Sequence, residues 1–156
     1  MVLVIVVLKK EQGNFFYIFF NLFKFFYRKI PNTIVVVKTN YDKVIGGFTP
    51  LKWDLPKIEN HEYILDKYGK TFLFSVSLKE KYSILENNLE FAICNASKMG
   101  PIFGAGSDLE IMNNADKNYN NYGLIGKTFD YIGIPENFYG NQKYLVVDYE
   151  CYEVLL

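Results

Sequence analysis

The sequence has little histidine, cysteine or tryptophan, and it has no excess of charge of one sign. Its 156 residues include one histidine, two cysteines and one tryptophan, and 17 Lys and Arg residues balance 17 Asp and Glu residues. A net charge of zero argues against a nucleic-acid binder, because neutralising phosphates requires clustered cations. It also argues against an acidic disordered tail. The charge balance therefore argues against both a nucleic-acid-binding protein and a protein with an acidic disordered tail.

The two cysteines, Cys94 and Cys151, are too few for a disulfide framework or a zinc site of four ligands at short spacing. The single histidine also argues against a His-rich metal site, so we expect no bound metal. We interpret the cysteines as buried thiols in a reducing compartment, which predicts an intracellular, cytoplasmic protein. A redox role for Cys94 and Cys151 is the alternative.

The apolar runs near the N-terminus are too short to span a bilayer. Residues 1–8 are apolar, and residues 15–26 are apolar apart from Asn21 and Lys24. Neither run reaches the ~18–20 residues that a transmembrane helix needs. The charged residues follow the first run instead of preceding it, which is the wrong order for a signal peptide. We predict a strand over 2–8, a helix over 15–28 and no transmembrane segment. The alternatives are a strand over 15–28, since Phe and Tyr favour sheets, and a membrane-surface or targeting role for the N-terminal segment.

Aromatic residues are abundant, at 18%, and they favour strands. Segments 33–38 and 43–48 predict a hairpin, in which Gly46 and Gly47 indicate a bulge or a close backbone approach. Further strands are predicted over 71–77, 89–94 and 143–154. The intervening segments 49–66, 79–88, 100–106 and 113–126 are predicted as loops, connections or turns, with Trp53 as an anchor in the first. This pattern predicts one domain over 1–156, a β-sandwich with one early helix.

Few residue patterns indicate catalysis. Gly104-Ala105-Gly106 is a lone Gly-x-Gly without the third glycine or the lysine of a nucleotide loop, so we expect a tight turn and no cofactor. A triad would have to combine Ser75, Ser77 or Ser83 with His61, the one available base. We expect no catalytic residues.

Two acidic positions have structural and chemical interpretations. Asp148 and Glu150 are two residues apart on the closing strand and therefore share a face, as a carboxylate pair for acid–base chemistry or as a solvated edge. Asp108 follows the glycine turn, and we expect its side chain to cap backbone N–H groups or to close an Asx-turn.

Four segments, in order along the chain, resemble TLDc domains. Residues 44–53 (VIGGFTPLKW) resemble the family's glycine–aromatic–tryptophan signature, and residues 71–76 (TFLFSV) resemble its FLFSL strand. Residues 91–93 and 100–109 (GPIFGAGSDL) resemble its next stretch, and residues 148–154 resemble its closing strand. The resemblance is best over residues 33–154, whereas residues 1–32 form a degenerate start and a helix.

The resemblance implies a mainly β fold with minor α, namely two antiparallel sheets in a sandwich with short helical turns. It implies a non-enzymatic protein-interaction module, similar to oxidation-resistance proteins that act in the response to oxidative stress and bind the peripheral sector of the vacuolar proton-pumping ATPase. A thiol-dependent antioxidant and a non-functional truncated paralogue are the alternatives. The residues that carry the signature are expected to be mostly structural: Gly46, Gly47, Phe48, Trp53, Phe72, Phe74, Ser75, Gly100, Pro101, Phe103, Gly104, Gly106, Asp108 and Glu150.

Overall fold

The computed structural model describes residues 28–54, 61–96, 99–112, 115–117, 119 and 121–155. This part of the chain is mainly β. Its strands are β1 (Thr33–Thr39), β2 (Val44–Thr49), β3 (His61–Ile64), β4 (Phe72–Ser75), β5 (Glu80–Ser83), β6 (Ile93–Ala96), β7 (Ile102–Phe103), β8 (Leu109–Glu110), β9 (Asn121–Tyr122), β10 (Lys143–Tyr144) and β11 (Val146–Glu153). Its helices are a 3₁₀ helix (Glu86–Phe91) and the short α1 (Pro135–Tyr139).

The larger sheet has five antiparallel strands in the order β11-β1-β2-β4-β5. In β1 the residues alternate between the two faces, and Val35 and Val37 are completely buried. The β1–β2 pairing confirms the hairpin predicted over segments 33–38 and 43–48. Its turn is closed by the Thr39 N–H, which donates to the Lys43 carbonyl at 2.9 Å.

A second antiparallel sheet has the order β3-β6-β7-β8, and β9 pairs with β10 beside it. Leu73 of the larger sheet shares one buried cluster with Ile93, Phe103 and Leu109 of the smaller sheet. The core therefore lies between two sheets, and the β-sandwich prediction is confirmed. This arrangement follows from strands that each carry one apolar face.

One predicted strand is wrong. Residues 89–94 were expected to be extended, but Glu86–Phe91 forms a 3₁₀ helix and the strand starts only at Ile93. The helix is supported by Asn88, whose N–H donates to the Leu85 carbonyl at 2.9 Å. Leu89 is half-buried and packs against the core from this helical turn, so its apolar character does not report a strand.

The predicted loops contain further strands. Segment 49–66 holds β3, segment 79–88 holds β5, and segment 113–126 holds β9. β3 and β5 lie at the ends of their sheets and are largely exposed, so polar residues suffice and no apolar alternation marks them. Within the predicted turn 100–106, Ile102–Phe103 forms β7, so the turn itself is shorter.

The predicted closing strand 143–154 is divided into β10 and β11. The division falls at Leu145, whose N–H donates to the Asn40 side-chain carbonyl at 2.7 Å instead of joining a ladder. The predicted strand over 2–8 and nearly all of the predicted helix over 15–28 lie outside the described residues. Arg28, which is described, forms a parallel bridge with Trp53. Among the described residues, no helix combines the length and the apolar character needed to cross a membrane.

Candidate functional site

The centre of the sandwich joins three residues of the predicted signature. Trp53 is nearly buried and meets the Phe103 ring edge-on, with ring centroids 5.4 Å apart. Its indole N–H donates to the Thr33 hydroxyl at 2.8 Å, which satisfies two buried polar groups at once. Gly47 lies against Phe103, and a Cβ there would come within 2.7 Å of the ring. A glycine at this position thus allows the two sheets to approach.

Four other signature residues, three phenylalanines and one glycine, lie together on the outward face of the larger sheet. Phe48 and Phe72 are half-buried, with ring centroids 5.2 Å apart. A Cβ on Gly46 would lie 2.4 Å from the Phe74 ring, so this glycine provides the space for that ring. The Lys81 ammonium sits over the Phe72 ring at 4.3 Å, a cation–π contact.

Asp108 ties two loops together at one end of the sandwich. One carboxylate oxygen, Oδ1, accepts hydrogen bonds from the backbone N–H groups of Gly126, Lys127 and Thr128 at 3.0–3.1 Å. The capping role expected of Asp108 is confirmed. Asp108 follows the turn at Gly104, whose positive φ of 84° suits glycine. The turn and the 126–128 loop are therefore held in a fixed relation.

The other oxygen of this carboxylate, Oδ2, is buried and has no hydrogen-bond partner within the described residues. Burial raises the pKa of Asp108, and the N–H and hydroxyl groups of Thr128 together with the N–H groups of Lys127 and Gly126 partly oppose that shift. The Tyr139 hydroxyl donates to the backbone carbonyl of Asp108. Gly106 adjoins the Lys127 side chain at the surface of the same turn. The whole arrangement is a buried polar anchor.

The remaining signature residues serve local backbone structure. Gly100 donates its N–H to the Ile111 carbonyl at 3.0 Å, and the carbonyl of buried Pro101 accepts from the Ile111 N–H at 3.1 Å. Ser75 accepts from the Leu78 N–H at 3.1 Å and so closes the β4–β5 turn. Glu150, on β11, lies apart from the other signature residues and accepts from the Tyr152 hydroxyl. That all these residues define a family signature stays a prediction.

Both cysteine thiols are inaccessible. Cys94 is 1% exposed and Cys151 is 0% exposed. Burial raises the pKa of the Cys94 thiol to about 11, so at neutral pH it is protonated. Since the thiolate is the reactive form, this environment disfavours rapid thiol chemistry at Cys94.

The serines considered for a triad lie on or next to the larger sheet, and the one histidine lies on the smaller sheet. Ser75 and Ser83 belong to the larger sheet, and Ser77 follows β4, whereas His61 begins β3 of the other sheet. Asp148 accepts from the Tyr149 N–H at 2.9 Å, and Glu150 binds its neighbour Tyr152. Both carboxylates thus make local hydrogen bonds, in agreement with the structural interpretation of this pair.

The sequence analysis did not identify a cross-strand row on the smaller sheet that ends in the buried Glu110. Register places Tyr63, Cys94, Ile102 and Glu110 side by side across β3, β6, β7 and β8. Burial raises the pKa of Glu110. The Ser107 hydroxyl and the charge of His61 partly oppose this shift, because both favour the ionised carboxylate. Within the described ranges no three His, Cys, Asp or Glu side chains are grouped as a metal site.

Sequence reasoning also missed the buried cross-link at Asn121. Its amide donates to the carbonyls of Ala115 and Tyr144 at 2.9 and 3.0 Å and accepts from the Met112 N–H at 2.9 Å. It stands in an asparagine-rich segment, so composition alone does not distinguish it from solvated neighbours. Asp66, which accepts from the N–H and the hydroxyl of Thr71, precedes a Tyr-Gly turn and could have been recognised from that pattern.

The fold and this site define an antiparallel β-sandwich domain whose sheets meet through Trp53, Gly47 and Phe103 and whose end turn is anchored by Asp108. Residues 8–155, essentially the whole chain, match the profile of the TLDc domain. The chain therefore belongs to the TLDc domain family. No curated protein sequence matches it significantly.

Proposed function

We propose that this protein is a non-enzymatic interaction module whose partner is the peripheral sector of the vacuolar proton-pumping ATPase. The observation that carries the proposal is the TLDc match over residues 8–155. Members that the sequence resembles, the oxidation-resistance proteins, are associated with that partner. The Asp108 anchor supports a binding role, because it holds the 104–108 turn and the 126–128 loop in a defined geometry.

A role in the response to oxidative stress belongs to the same proposal. The two thiols are buried, and the pKa of Cys94 is raised by that burial. In this proposal, protection against oxidants therefore acts through the partner and its assembly, and an intracellular, cytoplasmic protein would meet that partner.

The test is a titration of the purified chain against the isolated peripheral sector, with circular dichroism of the same sample. We expect saturable binding by a folded β protein. The Cys94→Ser/Cys151→Ser double variant is the matched control, and we expect it to bind as the wild type does. A folded protein that does not bind the sector would contradict the choice of partner. Binding that is lost in the double-serine variant, while that variant stays folded, would favour the thiol alternative.

A further inference from the structure

A short loop displays two isoleucines to solvent. Ile132 is 100% exposed and Ile134 is 60% exposed, on either side of Gly133. We call residues 130–134 the Ile132 loop. A single exposed apolar side chain is ordinary, but two β-branched residues exposed within three positions place apolar surface at one point of the molecule, where a partner could cover it.

The Ile132 loop is held in one conformation by its own residue Tyr131. The Tyr131 hydroxyl donates to the Ile134 carbonyl at 2.7 Å, and its ring packs edge-on against Tyr82 at 5.1 Å. Gly133 fits closely against that ring, since a Cβ there would be 2.7 Å from the Tyr131 hydroxyl oxygen. A loop that is already ordered loses little conformational entropy when it binds, so both isoleucines are preorganised for a partner.

Three acidic residues lie near the Tyr131 and Tyr82 rings that support the Ile132 loop. Asp130 belongs to the loop, Glu136 follows it in α1, and Glu80 accepts a hydrogen bond from the Tyr82 hydroxyl at 2.5 Å. All three residues are exposed, and the ion pairs of the described chain involve other residues. Lys81 does not offset this charge, because its ammonium lies over the Phe72 ring on the other face of β5.

The exposed isoleucines and the nearby carboxylates together restrict the kind of partner that can bind the Ile132 loop. An anionic membrane surface or a nucleic acid would be repelled by the carboxylates. A symmetric contact between two copies would bring the acidic rims of both chains together, which like-charge repulsion disfavours. A protein surface with an apolar floor and a rim of Lys and Arg side chains complements both features of the loop.

We propose that the Ile132 loop inserts Ile132 and Ile134 into an apolar groove of a protein partner whose rim carries lysine and arginine. This inference rests on the proposed role as an interaction module, and it names the surface and the chemistry of the partner. The isoleucines supply the desolvated centre of the contact, whereas Glu80, Asp130 and Glu136 orient the partner and accelerate its association.

The first test uses two amphipathic peptides with identical leucines, one flanked by lysines and the other by glutamates. The 156-residue chain is labelled at isoleucine methyl groups and titrated by NMR. We expect the lysine peptide alone to shift the methyl signals of Ile132 and Ile134, and we expect the shifts to disappear in the Asp130→Lys/Glu136→Lys variant. Equal shifts with both peptides, or none with either, would overturn the inference.

The second test measures binding to the isolated peripheral sector of the vacuolar ATPase. The Ile132→Ser/Ile134→Ser variant is expected to bind about tenfold more weakly or worse, as for centrally placed apolar residues at interfaces. Val76→Ser is the matched control, because Val76 is 56% exposed in the β4–β5 turn, and its affinity should equal that of the wild type. Glu86→Lys/Glu90→Lys on the 3₁₀ helix is the control for charge reversal at Asp130 and Glu136.

The two tests separate this inference from the proposed function. If the lysine peptide alone shifts the methyl signals but the chain does not bind the ATPase sector, the Ile132 loop is supported as a binding surface and the proposed partner is contradicted. If the Ile132→Ser/Ile134→Ser and Asp130→Lys/Glu136→Lys variants both bind the sector as the wild type does, the Ile132 loop is not the binding surface. The proposed role as an interaction module would still stand. Binding to phosphatidylserine vesicles, or self-association, that is lost in the Ile132→Ser/Ile134→Ser variant would assign the loop to a membrane or a second copy and would also overturn it.

Discussion

Replacing Asp108 by alanine should destabilise the protein strongly. The substitution removes the oxygen that accepts from the backbone N–H groups of Gly126, Lys127 and Thr128. Thr128 is completely buried, so its N–H group cannot turn to water, and an unsatisfied buried donor costs about 1–3 kcal/mol. Gly126 and Lys127 are exposed and regain part of their hydrogen bonding from solvent. We therefore expect a loss of roughly 2–4 kcal/mol in the free energy of unfolding.

The measurement is urea denaturation followed by the fluorescence of Trp53, the one tryptophan. Asp108→Asn is the matched variant, since it keeps an acceptor oxygen, and we expect it to stay within about 1 kcal/mol of the wild type at neutral pH. Asp130→Ala, at an exposed position two residues beyond Thr128, controls for the loss of a carboxylate. The anchoring role would be refuted if Asp108→Ala lost less than about 0.5 kcal/mol, the range of ordinary surface substitutions.

The same carboxyl group makes a prediction about pH. Burial raises the pKa of Asp108 and of Glu110 in the folded protein, so the folded state binds protons more tightly than the unfolded state. Stability therefore falls as pH rises from the ordinary carboxyl pKa through the raised one. Asp108→Asn should reduce this slope, and Asp108→Asn/Glu110→Gln should reduce it further. Urea midpoints across the acidic range measure it, and an unchanged slope in both variants would contradict the assignment.

Three further predictions concern the core and the thiols. Gly47→Ala should cost about 1–3 kcal/mol of unfolding free energy through crowding against Phe103. The double variant Gly47→Ala/Phe103→Leu should lose less than the sum of the two single variants, which urea denaturation of all three variants tests. Trp53→Phe should cost about 1–3 kcal/mol because it leaves the buried Thr33 hydroxyl without its donor, and Thr33→Val should add little to that cost. Since these variants lack the one tryptophan, their urea denaturation is followed by circular dichroism, and additive losses would contradict the prediction. Cys94, with a thiol pKa of about 11, should react with a disulfide reagent at pH 8 only on unfolding, and fast labelling of the native protein would contradict its burial.

How far the sequence predicts the fold depends on where each strand lies. β1 and β2 were recognised because they are central and their apolar residues alternate or run together. β3 and β5 were not recognised, since at the ends of their sheets they bury few side chains and are held by backbone pairing. Leu89 misled the prediction because a half-buried 3₁₀ turn and a short strand present the same apolar residues.

The candidate site shows a similar division between local and distant information. The capping role of Asp108 follows from its place after a glycine turn, but its partners are 18–20 residues away, and no local pattern identifies them. Asn121 likewise bonds across 23 residues to Tyr144. The exposure of Ile132 could not be predicted, because apolar residues occur both buried and exposed and no local pattern distinguishes the two cases here.

The position of β1 has a consequence for synthesis of the chain. β1 pairs with β2 on one side and with β11 on the other, and its end is fixed by contacts 100 and 105 residues away, from the Thr39 hydroxyl to the Tyr139 carbonyl and from the Leu145 N–H to Asn40. During synthesis on the ribosome, the edge of β1 that pairs with β11 therefore stays unpaired until β11 has been made. Closing so long a loop is slow, and the waiting strand can pair with other nascent chains. Production of this domain should thus respond to chaperone supply and to the speed at which the β11 segment is translated.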